Sequence, residues 1–350
     1  MSPSFARAVL WCTAAFFAVF FLWPITQILK GGFVDADGHF TLSYLTALLS
    51  DPTYLAGLSN SFLLACATTL LALLIALPLA FISDRFVFPG KGLLGSIILV
   101  PMILPPFVGA IGIKQIFGQY GALNALIVGA GLRPAGWTFD WFAAHQFWGI
   151  AIVEALSLYP IIYLNALAAL ANVDPAMEEA AQNLGCTGFR RFRRITLPLI
   201  KPGLFAGGTI VFIWAFTELG TPLVFDYAQV TSVQIFYGLK DIGGSPFPYA
   251  LVTVMLVSSV ALYAIGKGVF GRSGHAMMAK ATAGGGAREL PAARAWVCTA
   301  LFGGVTFLAV LPHLGVILVA FSRDWYATVL PHAYTLDNFR IALGHDLTVP

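Results

Sequence analysis

Seven stretches of this chain stay apolar for about 20 residues or more, the length that crosses the hydrocarbon of a bilayer. No other feature restricts its fold as strongly. The stretches are Ala8–Leu29, Ser61–Ile82, Leu93–Phe117, Phe147–Leu170, Leu204–Phe225, Tyr249–Phe270 and Trp296–Phe321. They predict an all-α integral membrane protein. The composition agrees: 59% of the 350 residues are hydrophobic and only 10% are charged, where a soluble domain carries about a quarter. The mean hydropathy of +0.84 needs lipid. The first apolar run continues past Pro24, too far for a cleaved leader, so it reads as a retained span.

Lysine and arginine set the orientation. With the N-terminus on the cytoplasmic side, thirteen of the 19 basic residues fall on that side and six on the other. The expected topology is therefore multi-pass with the N-terminus inside. The basic residues lie in particular loops, which argues against a nucleic-acid face. Cys12, Cys66, Cys186 and Cys298 have no CxxC or metal spacing and read as free thiols. The six histidines are scattered and form no catalytic constellation with the cysteines and acids, so no enzyme site, cofactor site or metal site is expected.

The segment between the fourth and fifth spans is more elaborate than a connection needs. Asp174 can cap a helix and Pro175 suits its first position. Glu178 and Glu179 fall in the early turns, where the helix dipole favours negative charge. Gly185 permits the left-handed turn that ends the helix. A second, basic helix over Phe189–Thr196 is expected to stop at Pro198. The result is a helical hairpin projecting from the membrane, a shape suited to docking a soluble partner.

These residues resemble the EAA loop of the permease subunits of binding-protein-dependent ABC importers. The pattern is matched at Glu179, Ala180, Ala181, Gly185, Ile195, Leu197 and Pro198, with both internal spacings intact. The resemblance implies a type I importer transmembrane (MetI-like) fold, similar to the maltose and molybdate permeases. It implies that the hairpin, with Glu178 beside the motif, couples to two copies of a separate ATPase subunit. A periplasmic binding protein would deliver the substrate. The chain has no G-x-x-x-x-G-K-[ST] phosphate loop of its own, so ATP is expected on the partner and not here. Within the family, the stretch Asp35–Leu42 and the stretch Phe216–Gly220 are similar to ferric-iron permeases. Thiamine, 2-aminoethylphosphonate and polyamine importers share this layout and remain alternatives. An ion-coupled secondary transporter is the alternative from a different class.

Glu154 and Glu218 lie inside predicted spans, at similar depth by residue count. Ionisable groups at such depth face a cavity or a partner. With Lys114 they form either a structural ion pair beside one protonated acid or a polar lining of the translocation path. The run Pro101–Pro106 should bend the third span.

The organisation expected is a first helix with a periplasmic segment over 1–56 and a permease domain over 57–270. A cytoplasmic linker containing Ala283-Gly284-Gly285-Gly286 would cover 271–295, and a restart 296–350. The seventh span with Pro312 mirrors the first with Pro24. Phe40-Thr41-Leu42-Ser43 after the first has its counterpart in Tyr334-Thr335-Leu336-Asp337 after the seventh. Duplication of this kind is common in transporters. An importer channel needs two permease units, the second supplied by the same full-length chain or by another copy. The gene is expected to continue past codon 350 for about another 200 residues, with a second EAA loop, on the domain sizes typical of such units. Sequencing past that codon checks this; a stop codon there with an active homodimer would refute it.

Overall fold

In the computed structural model, residues 3–35, 37–142, 145–240, 246–270 and 288–344 are described. The glycine-rich stretch Ala283–Gly286, read above as a linker, lies outside them. Six described helices are long and apolar enough to cross a membrane, or seven when one bent pair is counted as a span.

The chain opens with α1 (Pro3–Phe17), which passes through a π-turn at Ala18–Leu22 into α2 (Trp23–Phe33). The π-turn redistributes the hydrogen bonds that Pro24 disrupts, so one 31-residue helix results. After α3 (Ser43–Ser50), the Asp51 carboxylate accepts the Thr53 amide at 2.7 Å and Pro52 starts the 34-residue α4 (Pro52–Arg85). The two-residue strand β1 (Phe86–Val87) leads to α5 (Lys91–Ile97), a 3-10 turn at Val100–Met102 and α6 (Pro106–Phe117). The predicted third span is thus broken, with its arms at 96°. Proline disfavours helix in the residue before it, and Pro105, which precedes Pro106, is extended at φ −57 and ψ 148.

Next come α7 (Ala122–Gly129), α8 (Gln146–Ala171), α9 (Pro175–Asn183) and α10 (Gly188–Arg191). A second π-turn, Phe192–Thr196, joins α10 to α11 (Leu197–Thr217). Pro198 was expected to stop the basic helix. Instead it follows the π-turn directly, and the helix runs unbroken over Gly188–Thr217, the altered hydrogen-bond pattern of the π-turn accommodating its missing N–H. The predicted fifth span, by contrast, ends early. The chain turns extended at Glu218 before α12 (Gly220–Val224), because Pro222 has no N–H for the Glu218 carbonyl. Then follow α13 (Thr231–Lys240), α14 (Phe247–Phe270), β2 (Arg288–Glu289, parallel to β1) and α15 (Ala292–Ala320). The antiparallel pair β3 (Ser322–Asp324) and β4 (Ala333–Tyr334) precedes α16 (Asp337–Leu343).

The helices form two compact units, 1–62 with 228–263, and 63–227 with 264–350. In the first, Leu48, Ala250 and Leu251 form a small core with Tyr54 and Phe247 stacked beside it. In the second, α8 is the axis. Ile150, Tyr159 and Ile162 on it are fully buried. The α11 backbone comes close through Gly203 and Gly207, where a Cβ would lie 2.5 Å from Ala169 Cβ and 3.0 Å from Ile162 Cα respectively. The seventh span, α15, belongs to this unit as well and lies backbone to backbone on α6.

The two proposed repeats end alike. The Thr41 amide donates to the Phe33 carbonyl at 2.8 Å, and the Thr335 amide to the Phe321 carbonyl at 2.8 Å. Thr41 Oγ1 then accepts the Ser43 amide at 3.1 Å, and Thr335 Oγ1 the Asp337 amide at 3.0 Å.

A Cβ on Gly112 would meet the Pro312 carbonyl oxygen, and one on Gly315 would lie 2.7 Å from the Gly112 carbonyl oxygen. Leucine at either position should force α6 and α15 apart and cost about 1–3 kcal/mol. Alanine at Gly109, whose Cβ would meet Pro312 Cβ at 3.4 Å, should cost much less. Thermal unfolding of the purified variants in detergent measures both.

Candidate functional site: an anchored hairpin and a carboxylate pair

Helix α9 starts as its sequence dictates, with Asp174 Oδ1 accepting the Ala176 amide at 2.9 Å ahead of Pro175. It ends at Gly185, whose φ of +80 is left-handed. The Cys186 amide folds back onto the Ala181 carbonyl at 2.9 Å and closes the turn.

One side of the hairpin is anchored. Glu178 is 4% exposed, and its carboxylate accepts both terminal guanidinium nitrogens of Arg85, at the end of α4. One of these bonds measures 2.5 Å, and Thr196 Oγ1 adds a third bond at 2.7 Å. Arg85 is held in turn by Asp84 at 3.0 Å. Phe192 packs edge-on to Phe81 with ring centres 5.3 Å apart. Burial pushes the Glu178 carboxyl up. The hydrogen bonds from Arg85 and Thr196, with the charges of Arg85 and Arg191, outweigh that and hold it below the usual glutamate value.

The other side of the hairpin is bare. Glu179, Ala180 and Gly185 are exposed, as are Met177 and, at 88%, Leu184. Ala181 is buried, while Ile195, Leu197 and Pro198 are partly buried. Sequence reasoning grouped Glu178 with Glu179 as two dipole charges; the fold turns one inward and the other outward. The signal available was Glu178 lying three residues before the apolar Ala181 on one face. Its partner Arg85 is 93 residues away in sequence.

The second cluster lies in the helices. Glu154 on α8 is 0% exposed, and its Oε2 accepts the Thr68 hydroxyl of α4 at 3.0 Å. Its Oε1 finds no hydrogen-bond partner among the described residues. Glu218 lies at the break after α11. It accepts the amides of Gly220 (3.2 Å) and Thr221 (3.3 Å) and the indole N–H of Trp214 (3.2 Å). The two carboxylates interact electrostatically. A cavity of about 130 Å³ is lined in part by Pro105, Ser157 and Trp214, the indole that donates to Glu218, but by neither carboxylate. Lys114 does not join either acid: its Nζ donates to the Val224 carbonyl at 2.6 Å and to Asp226 at 3.0 Å. Depth along a span can be counted from sequence, but the direction in which Lys114 leaves its helix cannot.

A multi-pass helical bundle with acids inside it and an anchored hairpin at its edge has the form of a transport permease. The chain belongs to the family described as binding-protein-dependent transport system inner membrane component, whose model matches residues 69–273. Similar proteins include the ferric transport system permease protein FbpB of Actinobacillus pleuropneumoniae, 24% identical over 94% of this chain and 47% of that protein. The molybdenum transport system permease protein ModB of Escherichia coli is 32% identical over 51% of this chain and 74% of its own length. The chain spans about half the length of the ferric transport relatives it matches. The crystal structure of a bacterial ABC transporter that imports alginate superposes with a TM-score of 0.59 at 18% identity, over 77% of this chain and 95% of that one. That likeness confirms the fold: an all-α type I importer transmembrane domain.

Replacing Arg85 with alanine strands the Glu178 charge and should cost about 2–3 kcal/mol, given that Arg85 is partly exposed. Glu178→Gln, which keeps acceptors for both partners, should cost less. The linkage has a definite sign. A lowered carboxyl contributes stability that is fully present above about pH 5 and is lost as pH falls through the ordinary value of 4.5 toward the lower native one. Melting temperatures between pH 7 and pH 4 should therefore fall in the parent and stay flatter in Glu178→Gln.

Proposed function

We propose that this chain is the permease subunit of an ATP-driven importer, carrying a substrate from a periplasmic binding protein across the inner membrane. The observation that carries the reading is the hairpin, fixed to α4 on one side by Arg85–Glu178–Thr196 and bare on the other at Glu179, Ala180, Leu184 and Gly185. A connection with no partner has no reason to expose Leu184 at 88% while locking the opposite face in place. Its partner is an ATPase subunit, two copies per transporter, which supplies the bound ATP; the chain itself is not the enzyme.

Arg85 and Thr68 are both on α4, 17 residues and so about 25 Å apart at the helical rise. A push on α9 from the ATPase therefore reaches the hydroxyl that bonds Glu154. In this reading Glu154 and Glu218 line the translocation path, and Lys114 supports its rim through Asp226.

Ferric iron is the favoured cargo. The ferric transport relatives match 94% or more of this chain, continuing through α15. The molybdenum and 2-aminoethylphosphonate permeases match 51% and 73%. The repeated Phe–Thr cap after α2 and α15 supports a tandem organisation in which 296–350 begins a second permease unit.

Gly185→Val forces a β-branched residue into the left-handed region, and Leu184→Asp places a charge on the docking face. Each should lower ATP-dependent uptake at least about tenfold, the loss expected of an interface hot spot, with membrane insertion intact. Radiolabelled iron uptake in vesicles, with molybdate and 2-aminoethylphosphonate in parallel, tests docking and cargo together. Normal uptake by both variants would overturn the docking role.

A further inference from the structure

The helix that follows Gly185 carries a feature that docking by α9 leaves unused. Arg190, Arg193 and Arg194, with Phe189, line an open crevice of about 530 Å³. All three arginines are exposed, and none forms an ion pair among the described residues. Their neighbours are committed elsewhere: Arg191 to Gln182 at 3.3 Å, Phe192 to Phe81, and Thr196 to Glu178. The helix thus has one side fastened to the protein and a second side carrying three unneutralised guanidinium groups.

Their position along the helix says what they face. From Leu197 to Thr217 is 21 helical residues, about 31 Å at 1.5 Å per residue, which fills the hydrocarbon of a bilayer. Arg194 and Arg193 then lie about 5 and 6 Å beyond the hydrocarbon edge, and Arg190 about 10 Å. The headgroup layer is roughly 5–8 Å deep on each side, so Arg193 and Arg194 lie within it and Arg190 just outside its aqueous face. Phe189 is 75% exposed and lies one residue beyond Arg190, at the watery mouth of the crevice. Guanidinium groups bind phosphate oxygens in pairs, with a planar fork of donors.

We propose that this crevice is a binding site for the phosphate of an anionic phospholipid. It depends on the membrane-spanning fold and not on the identity of the cargo. The acidic surface of a soluble subunit is the competing occupant.

The chain, reconstituted in phosphatidylcholine vesicles, is titrated with spin-labelled phosphatidylglycerol or spin-labelled phosphatidylcholine. The parent should prefer the anionic lipid by about tenfold, on the attraction typical of juxtamembrane arginines. The variant carrying R190Q, R193Q and R194Q should prefer it by no more than about twofold, and the matching triple lysine variant should keep most of the preference. If the triple glutamine variant does not fold, each single variant should lower the preference about two- to threefold. Inorganic phosphate at the lipid concentration should not displace the label. The proposal is overturned if the glutamine variants retain the parental preference, if phosphate displaces the lipid, or if they lose ATPase subunit binding with lipid preference unchanged.

Discussion

Inside a bilayer no water is available to complete a broken helix, so each interruption has to be repaired by the protein itself. The two interruptions nearest Glu154 and Glu218 show how. At the turn before Pro105, the Met102 amide bonds to the Leu99 carbonyl rather than to Ile98. The Ile98 carbonyl so released accepts the hydroxyl of fully buried Tyr159 at 3.2 Å. After α11, the amides of Gly220 and Thr221 are freed by the break, and the Glu218 carboxylate takes both. One break is sealed by a side chain from the axial helix and the other by the residue at the break. Both breaks are therefore closed by named hydrogen bonds.

This division explains what the sequence revealed and what it withheld. Apolar length alone located the spans, because a bilayer admits no shorter solution. Asp174-Pro175 and Gly185 marked the ends of α9 because caps and left-handed turns are local. Pro198 was misleading for a related reason. A proline's effect depends on the hydrogen-bond pattern around it, and the preceding π-turn lets the helix pass through Pro198. Lys114 and Glu178 were beyond reach because their partners, Asp226 and Arg85, are 112 and 93 residues distant. Charge identity is written in sequence; which charges meet is decided by packing.

Glu154 and Glu218 illustrate how environment separates two chemically identical groups. Glu218 accepts three N–H donors, two backbone amides and an indole. Among the described residues Glu154 has a single hydroxyl donor, in a site with no exposure. The supply of hydrogen-bond donors therefore differs sharply between the two carboxylates.

The glycine contact between α6 and α15 bears on assembly. Two helices that touch through Gly112 and Gly315 match in shape over their backbones, and such contacts hold only when the partners meet often. Here both partners are on one polypeptide. A covalent tether raises their local concentration to the millimolar range without any added contact. By the time α15 is synthesised, α6 is already in the membrane. The order of synthesis thus makes the docking of the seventh span a unimolecular event, insensitive to how many copies of the protein the cell makes.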